Sequence, residues 1–471
     1  MTSARGAGRP KSGFARRRVT GRWLLLAALL AGCGDLSSPP PGFELRIVPE
    51  SLTVEATLTA TLDLAWVDAT GQVIPLRGRR VQWFSSDESI VDVREGQVQA
   101  LEVGQAEIVA VLDTAVARAD ITVAVRYVTV AAGDYTCGVT RQGSLYCWDD
   151  PDDAPDRMDG PSPFRSVTVG SAGTAGTQWW LPGAFPATHA CAVDTTGSAH
   201  CWGANGYGQL GDGTTDDAPQ PQRVTGSLVF ETVTAGSNHS CGITVAGDAY
   251  CWGLNSLGEL GIGQVDQDAH PAPELVVEGL RWTAITAGDG FTCGLTDTRR
   301  IYCWGDGRYG ALGDGSSSGA RSDPAMVVGD HLWSHLDAGP RQVCGIDVRQ
   351  DLYCWGGDPA GTIAVVPTRR DLQYYYRSVS AGGGETDDFA CAIATAGQTY
   401  CWGGAHGQSG LFERYRPARP WAFVALAAGA LHACGLTDTG LVYCWGAGYG
   451  LEPKVLPYQL PEAGDQTSRS R

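Results

Sequence analysis

Lysine is nearly missing from this chain of 471 residues: Lys11 and Lys454 stand beside 32 arginines, and 34 basic residues face 51 acidic ones for a formal charge of -17. The first 32 residues hold seven of the basic side chains and no Asp or Glu, so the rest of the chain is more acidic still. A phosphate backbone or an anionic bilayer face attracts dense Lys/Arg surfaces, and this composition excludes both as partners. Long apolar runs are also absent. The longest, WLLLAALLAG (23–32), is too short to cross a hydrocarbon core of about 30 Å at about 1.5 Å per residue. Catalytic signatures are missing too: there is no H-E-x-x-H helix, no phosphate-cradling glycine loop and no Ser-His-Asp order. What the chain has in quantity is glycine, at 64, and tryptophan, at 15, with only 18% charged residues. That mixture favours many short strands and turns, and predicts an all-β fold.

The N-terminus reads as an address. Arg16, Arg17, Arg18 and Arg22 precede the apolar run, the pattern of a secretory signal over residues 1–32. The run ends in Leu30-Ala31-Gly32-Cys33, which resembles the bacterial lipobox. The resemblance implies cleavage before Cys33 and acylation of that cysteine, hence a membrane attachment through lipid alone. Residues 33–43, with SSPPPG, read as a Ser/Pro linker, and 463–471 as a disordered tail.

From 44 to 126 short alternating stretches such as LTATLDLAW and AEIVAVL recur between turns without a cysteine, predicting a β-sandwich. VQWFSSDESIVDVREGQVQALEVGQAEIVA (81–110) resembles the group 2 bacterial immunoglobulin-like domain. The resemblance implies an envelope spacer, and Trp83 is read as the core tryptophan of the sandwich.

Fourteen further cysteines form seven pairs, each ten residues apart: Cys137/Cys147, Cys191/Cys201, Cys241/Cys251, Cys293/Cys303, Cys344/Cys354, Cys391/Cys401 and Cys434/Cys444. Every second cysteine precedes a tryptophan, and the unit recurs about every fifty residues, a period of propeller blades. Gly143, Gly197, Gly247, Gly397 and Gly440 lie six residues after the first cysteine, where a hairpin turn needs positive φ; Arg299 and Gln350 replace them elsewhere. Paired cysteines then face each other across a hairpin, at about 4.5–5.5 Å between Cα atoms, within reach of a disulfide. A zinc site would want closer pairs or histidine, and a redox centre is rarely copied seven times, so the pairs read as staples; reduced, buried thiols are the alternative.

WGANGYGQLGDG (202–213), WGLNSLGELGIG (252–263) and WGDGRYGALGDG (304–315) resemble the signature of the regulator of chromosome condensation repeat. The resemblance covers about 127–462 and implies a seven-bladed β-propeller. In eukaryotic nuclei such proteins exchange guanine nucleotides on a small GTPase and bind chromatin, a role that an exported acidic chain fits poorly.

Candidate chemistry is sparse. His189, His239 and His432 lie two residues before a first cysteine, in a slot that elsewhere holds Tyr135, Phe291, Gln342 and Phe389, and so read as packing. Asp212-Gly213 and Asp314-Gly315 read as turns. No metal or cofactor site is expected. The repeats disagree at two insertions, GSAGTAGTQWWLPGAFPATHA (170–190) and GGGETDDFA (382–390). Trp179 and Trp180 are candidate partner contacts, while Glu385, Asp387 and Asp388 read as a solvated acidic tip. The expectation is a non-enzymatic cell-envelope lipoprotein whose propeller binds a protein or a glycan. The alternatives are a nucleotide exchange factor and a hydrolase working in the central channel.

Overall fold

The computed structural model describes residues 42–76, 80–149, 155–171, 188–277, 279–357, 363–370, 373–384, 388–403, 422–446, 450–455 and 459. Cys33, Trp179, Trp180, Glu385 and Asp387 lie outside these residues. The described chain is all strand and turn, and none of it is a helix long and apolar enough to cross a membrane. It divides into two compact units between Val123 and Ala124.

The first unit holds three antiparallel sheets. The largest places Ser51–Glu55, Ala115–Ala124, Gly104–Leu112 and Gln82–Ser85 side by side. Gly104–Leu112 alternates its buried residues, as a strand with one face on a core must. That core gathers Ile47, Leu64, Trp66, Val91, Val98, Ile108 and Ile121. Trp66 is thus the buried tryptophan of this unit, and Trp83 is not: its strand, Gln82–Ser85, is the edge of its sheet, and Trp83 is only partly buried there.

The second unit is a ring of seven antiparallel sheets, each taking its strands in chain order. Blade three is representative, with Phe230–Ala235, His239–Thr244, Ala249–Gly253 and His270–Leu275. Six blades show four strands and blade six shows three among the described residues. The second strand of every blade, such as His239–Thr244, is buried along its whole length. It lies mid-sheet with a blade on each side, so the alternation of a half-exposed strand is lost and small residues, Cys and β-branched side chains replace it.

All seven cysteine pairs are disulfides, each between the second and third strands of its own blade: Cys137–Cys147, Cys191–Cys201, Cys241–Cys251, Cys293–Cys303, Cys344–Cys354, Cys391–Cys401 and Cys434–Cys444. The reduced-thiol alternative therefore falls away. The expected spacing needs a correction, because the paired Cα atoms are 4.0–4.1 Å apart in every blade, closer than the range read from the sequence. In blade three Thr244 N–H donates to the Asp248 carbonyl, and counting back along each strand puts Cys241 and Cys251 at a non-hydrogen-bonded pair. Such pairs are the close ones in an antiparallel ladder, and Cys147, Cys354, Cys401 and Cys444 stand opposite their partners in the same register. The hairpin turns take positive φ at Gly143, Gly197, Gly247, Gly397 and Gly440, and also at Arg299 (62°) and Gln350 (69°).

Seven glycines set the spacing of the blades. Gly133, Gly170, Gly236, Gly288, Gly339, Gly382 and Gly429 end or follow the first strands. A Cβ on any of them would come within 3.0 Å of the carbonyl oxygen of the next glycine in that order, and Gly429 returns to Gly133. Blade seven therefore meets blade one by the rule that holds between all the others. Among the described residues no strand is exchanged at closure: Ala430 N–H donates to Gly133 O at 2.9 Å, Tyr127 N–H to Gly440 O at 2.9 Å, and the Gln459 amide grips both backbone groups of Val442.

Candidate functional site

Between blades, the disulfide of one packs under the tryptophan of the next. Cys191 and Cys201 share a core with Trp252, Cys241 and Cys251 with Trp304, and Cys293 and Cys303 with Trp355. The same packing sets Cys137 and Cys147 with Trp202, Cys344 and Cys354 with Trp402, and Cys391 and Cys401 with Trp445. In the first three of these interfaces the glycine-rich connection after the third strand completes the seal. Its leucine (Leu210, Leu260, Leu312) enters the same core, and its backbone takes the indole N–H: Trp252 donates to Gln209 O, Trp304 to Glu259 O and Trp355 to Ala311 O, each at 2.9 Å. Gly211, Gly261 and Gly313, at positive φ, lie flat on those indoles, where a Cβ would overlap the ring. Gly213, Gly263 and Gly315 N–H donate to Pro271, Ser322 and Val365 of the following blade. The glycine signature is thus a clasp between neighbours. Asp212 and Asp314 turn the clasp by accepting the N–H groups of Thr214 and Ser316.

The histidine slot is also a blade-to-blade device. His189 Nε2 meets Ser240 Oγ at 2.7 Å, His239 Nε2 meets Thr292 Oγ1 at 2.8 Å, and His432 Nε2 meets Thr136 Oγ1 at 2.6 Å, always across an interface. Ser240 and Thr292 spend their protons on the Gln209 and Glu259 carbonyls, so His189 and His239 donate to them through Nε2. Burial pushes the three imidazoles down, His189 to about 3 and His239 and His432 to about 4. Where the slot holds Tyr135, Phe291 or Phe389, the facing residue is Ala190, Val343 or Ala433; Gln342, opposite Ala390, reaches the Phe389 carbonyl at 2.8 Å instead. The pairing of histidine with hydroxyl and of ring with aliphatic group is visible in the sequence, but only when each repeat is read against the next one. Glu259 stands where blade two has Gln209, and its carboxyl accepts Leu257 N–H at 2.6 Å as the Gln209 amide accepts Tyr207 N–H. Burial, and then the neighbouring Asp306 and Asp289, push it up to about 7.

The first strands line a central channel that encloses a cavity of about 200 Å³. At one depth, opposite the first cysteine of each blade, it presents Ala131, Thr168, Thr234, Thr286, Asp337, Ser380 and Ala427. Asp337 is the one ionisable side chain among the described residues of this lining. Burial pushes its carboxyl up against the N–H and O–H groups that pull it down.

The connections that hold both insertions, 170–188 and 384–387, leave the first strands at the end of the ring where the glycines meet. Nearby, Arg341 donates to Gly384 O at 2.9 Å, lies 3.8 Å from Asp388 and covers the Tyr309 ring at 5.4 Å, tying blades four, five and six together. Asp388 is therefore no solvated tip: it opens the second strand of blade six and is buried against Arg341. Among the described residues no three His, Cys, Asp or Glu side chains gather as a metal site.

Residues 196–243 and 246–295 match the Regulator of chromosome condensation (RCC1) repeat, and a second model of that repeat matches 230–259, 282–311 and 423–449. These matches fall in blades two, three, four and seven. Human WBSCR16 superimposes with a TM-score of 0.55 at 15% identity, over 68% of this chain and 89% of that one. Yeast RCC1 (Prp20), in a structure with Kap60 bound, does so with a TM-score of 0.54 at 17% identity, over 69% and 87%. At these identities the likeness is one of fold. Among curated proteins, the Arabidopsis thaliana ultraviolet-B receptor UVR8 is 26% identical over 231 residues, 46% of this chain and 51% of that protein. The human E3 ubiquitin-protein ligase HERC2 is 27% identical over 177 residues, 36% of this chain and 4% of that protein. The chain thus spans about half of one relative and a small fraction of the other.

Proposed function

We propose that this chain is a non-enzymatic binding scaffold. In this reading, lipid on Cys33 holds it in the cell envelope, residues 44–126 are an immunoglobulin-like spacer, and the propeller engages a partner protein through its loop-bearing end. The observation that carries the reading is where the repeats agree and where they differ. Clasps, histidine bridges, disulfides and the glycine ring are all spent on holding blades together, while both insertions between first and second strands open at one end of a rigid ring. Yeast RCC1 (Prp20), which is similar in fold and was seen with Kap60 bound, supports a protein as the class of partner. A hydrolase reading would want paired acid and base groups in the channel, whose described lining offers one carboxyl. Nucleotide exchange by analogy has no feature of its own in its favour.

The test is cross-linked capture of the full chain from its own cells, with Trp179→Ala/Trp180→Ala as the comparison. Loss of one recovered protein with an unchanged melting curve supports the scaffold; equal recovery rejects this end as the binding surface. In the same cells Cys33→Ala should release the chain from membranes into the soluble fraction, and membrane retention would remove the lipid anchor from the reading.

A further inference from the structure

The polar residues of the channel have an evident structural task. Thr286 Oγ1 in blade four accepts Ala338 N–H of blade five at 3.1 Å, and Ser380 Oγ in blade six accepts Ala428 N–H of blade seven at 3.0 Å. Asp337 does the same for Ala381 N–H at 3.0 Å, and its other oxygen takes the Thr286 hydroxyl at 3.3 Å. A threonine or serine would suffice for this bond, as it does in blades four and six. The carboxyl also takes the hydroxyls of Thr286 and Ser380, but its charge is costly in a walled channel, for no cationic side chain among the described lining residues offsets it. A buried carboxyl with no cation in its own lining points to a counter-ion from outside.

The surroundings say which kind. Thr168, Thr234, Thr286 and Ser380 bring hydroxyl oxygens to the depth of Asp337 from four other blades, while Ala131 and Ala427, side by side at the closure, leave one apolar sector. Calcium takes six to eight oxygens, usually with several carboxylates, and a single carboxyl serves it poorly. An alkylammonium group matches better: three N–H donors for a carboxylate and hydroxyls, and a carbon stub for the alanines. The cavity, at about 200 Å³, has room for more than a lone water. We propose that the propeller channel binds a primary ammonium group, with Asp337 as counter-ion, the Thr/Ser hydroxyls as acceptors and Ala131 and Ala427 against the alkyl end. The group could belong to a small amine or to a lysine that reaches in through the mouth of the channel.

Calorimetric titration of the full chain with methylammonium chloride tests this, against tetramethylammonium chloride at equal ionic strength. Saturable binding of methylammonium and none of tetramethylammonium is expected. Asp337→Thr, the residue of blades two to four, should weaken binding at least tenfold while keeping the Ala381 bond and the melting temperature; Asp337→Asn serves if that variant folds poorly. A blocked Gly-Lys-Gly peptide distinguishes the sources. Competition by the peptide assigns the site to a partner's lysine, and binding of methylammonium alone assigns it to a small amine. No saturable methylammonium binding, equal binding of tetramethylammonium, or full binding by both Asp337 variants would overturn the proposal. The outcome is independent of whether the loop-bearing end captures a protein.

Discussion

Blades two, three and four join their third and fourth strands through 14, 16 and 13 residues; blades one, five and seven do so through seven, five and three. The long connections are the clasps, and three to seven residues cannot build one. The indoles record the consequence. Trp252, Trp304 and Trp355, which follow clasped blades, donate to loop carbonyls, whereas the N–H groups of Trp148, Trp402 and Trp445 are buried and meet no acceptor among the described residues. The most recognisable motif of the repeat is therefore an inter-blade seal, and the interfaces that follow blades one, five and seven rely on other means: the glycine ring, the His432–Thr136 bridge and the Arg341 tie.

Removing what both halves share should produce the largest effects. A Cβ at Gly429 would overlap Gly133 O of blade one more deeply than a Cβ at Gly236, at 2.7 Å, would overlap Gly288 O and the His239 ring. Gly429→Ala should cost about 3–5 kcal/mol in denaturant unfolding, and Gly236→Ala, in the clasped half, clearly less. Equal losses would mean that the clasp adds nothing to that interface.

Acid comes next. His189, His239 and His432 are held at about 3–4 when folded against an ordinary value near 6.5, so the unfolded chain binds more protons between those limits. Their contribution is fully present above about pH 6.5 and is lost as pH falls towards 4, by up to about tenfold in the folding constant per histidine per pH unit. The double change His432→Phe/Thr136→Ala, which imports the Phe389–Ala433 pairing, should leave stability at pH 7 near the parent value and remove about a third of that slope. Urea midpoints across the pH range would read it.

Glu259 should behave in the opposite sense. Its folded pKa of about 7 lies above the ordinary carboxyl value, so the stability it contributes is present in acid and drains away as pH rises towards 7. Glu259→Gln, which copies blade two, should stabilise the protein near pH 8 by about tenfold or more and leave pH 4 unchanged; a uniform effect at both would rule out titration as the cause.

The indoles provide a smaller and more direct test. Trp252→Phe deprives Gln209 O of a donor and should cost about 1–1.5 kcal/mol more than Trp445→Phe, whose N–H has no acceptor to lose among the described residues. Smallest of all, Arg299→Gly relieves a side chain from positive φ and should gain about 0.5–1 kcal/mol or less. The same change at Gly-bearing turns has no counterpart, so Gln350→Gly is its natural replicate.

Much of this is legible in the sequence because the repeats act as seven trials of one design. Constant cysteine spacing points to the hairpin and its staple, and a glycine in five of seven turns points to the positive φ that Arg299 and Gln350 also adopt. What escapes is information that belongs to a pair of blades. The Ala-Gly at the end of the first strands looks like a turn preference and is a steric limit set by the next blade. The partners of the histidines sit one repeat away, so reading within a repeat finds only a tolerant slot. Asp337 hides in a position that varies among Ala, Thr and Ser. Trp83 misleads because neighbours in a sheet, which decide whether a tryptophan is central or at an edge, are not encoded in its own strand's alternation.

The contiguity of the blades bears on how such a chain acquires its bonds at all. Fourteen cysteines admit roughly 10⁵ pairings by the counting that gives 105 for eight. Here every correct partner is ten residues away across one turn, and none of the seven bonds crosses from blade to blade. Each staple can be completed as soon as its hairpin has emerged, before the following repeat exists to compete for it. Oxidation can then run from first to last as a series of local events, leaving only the meeting of Gly429 with Gly133 to wait for the whole ring.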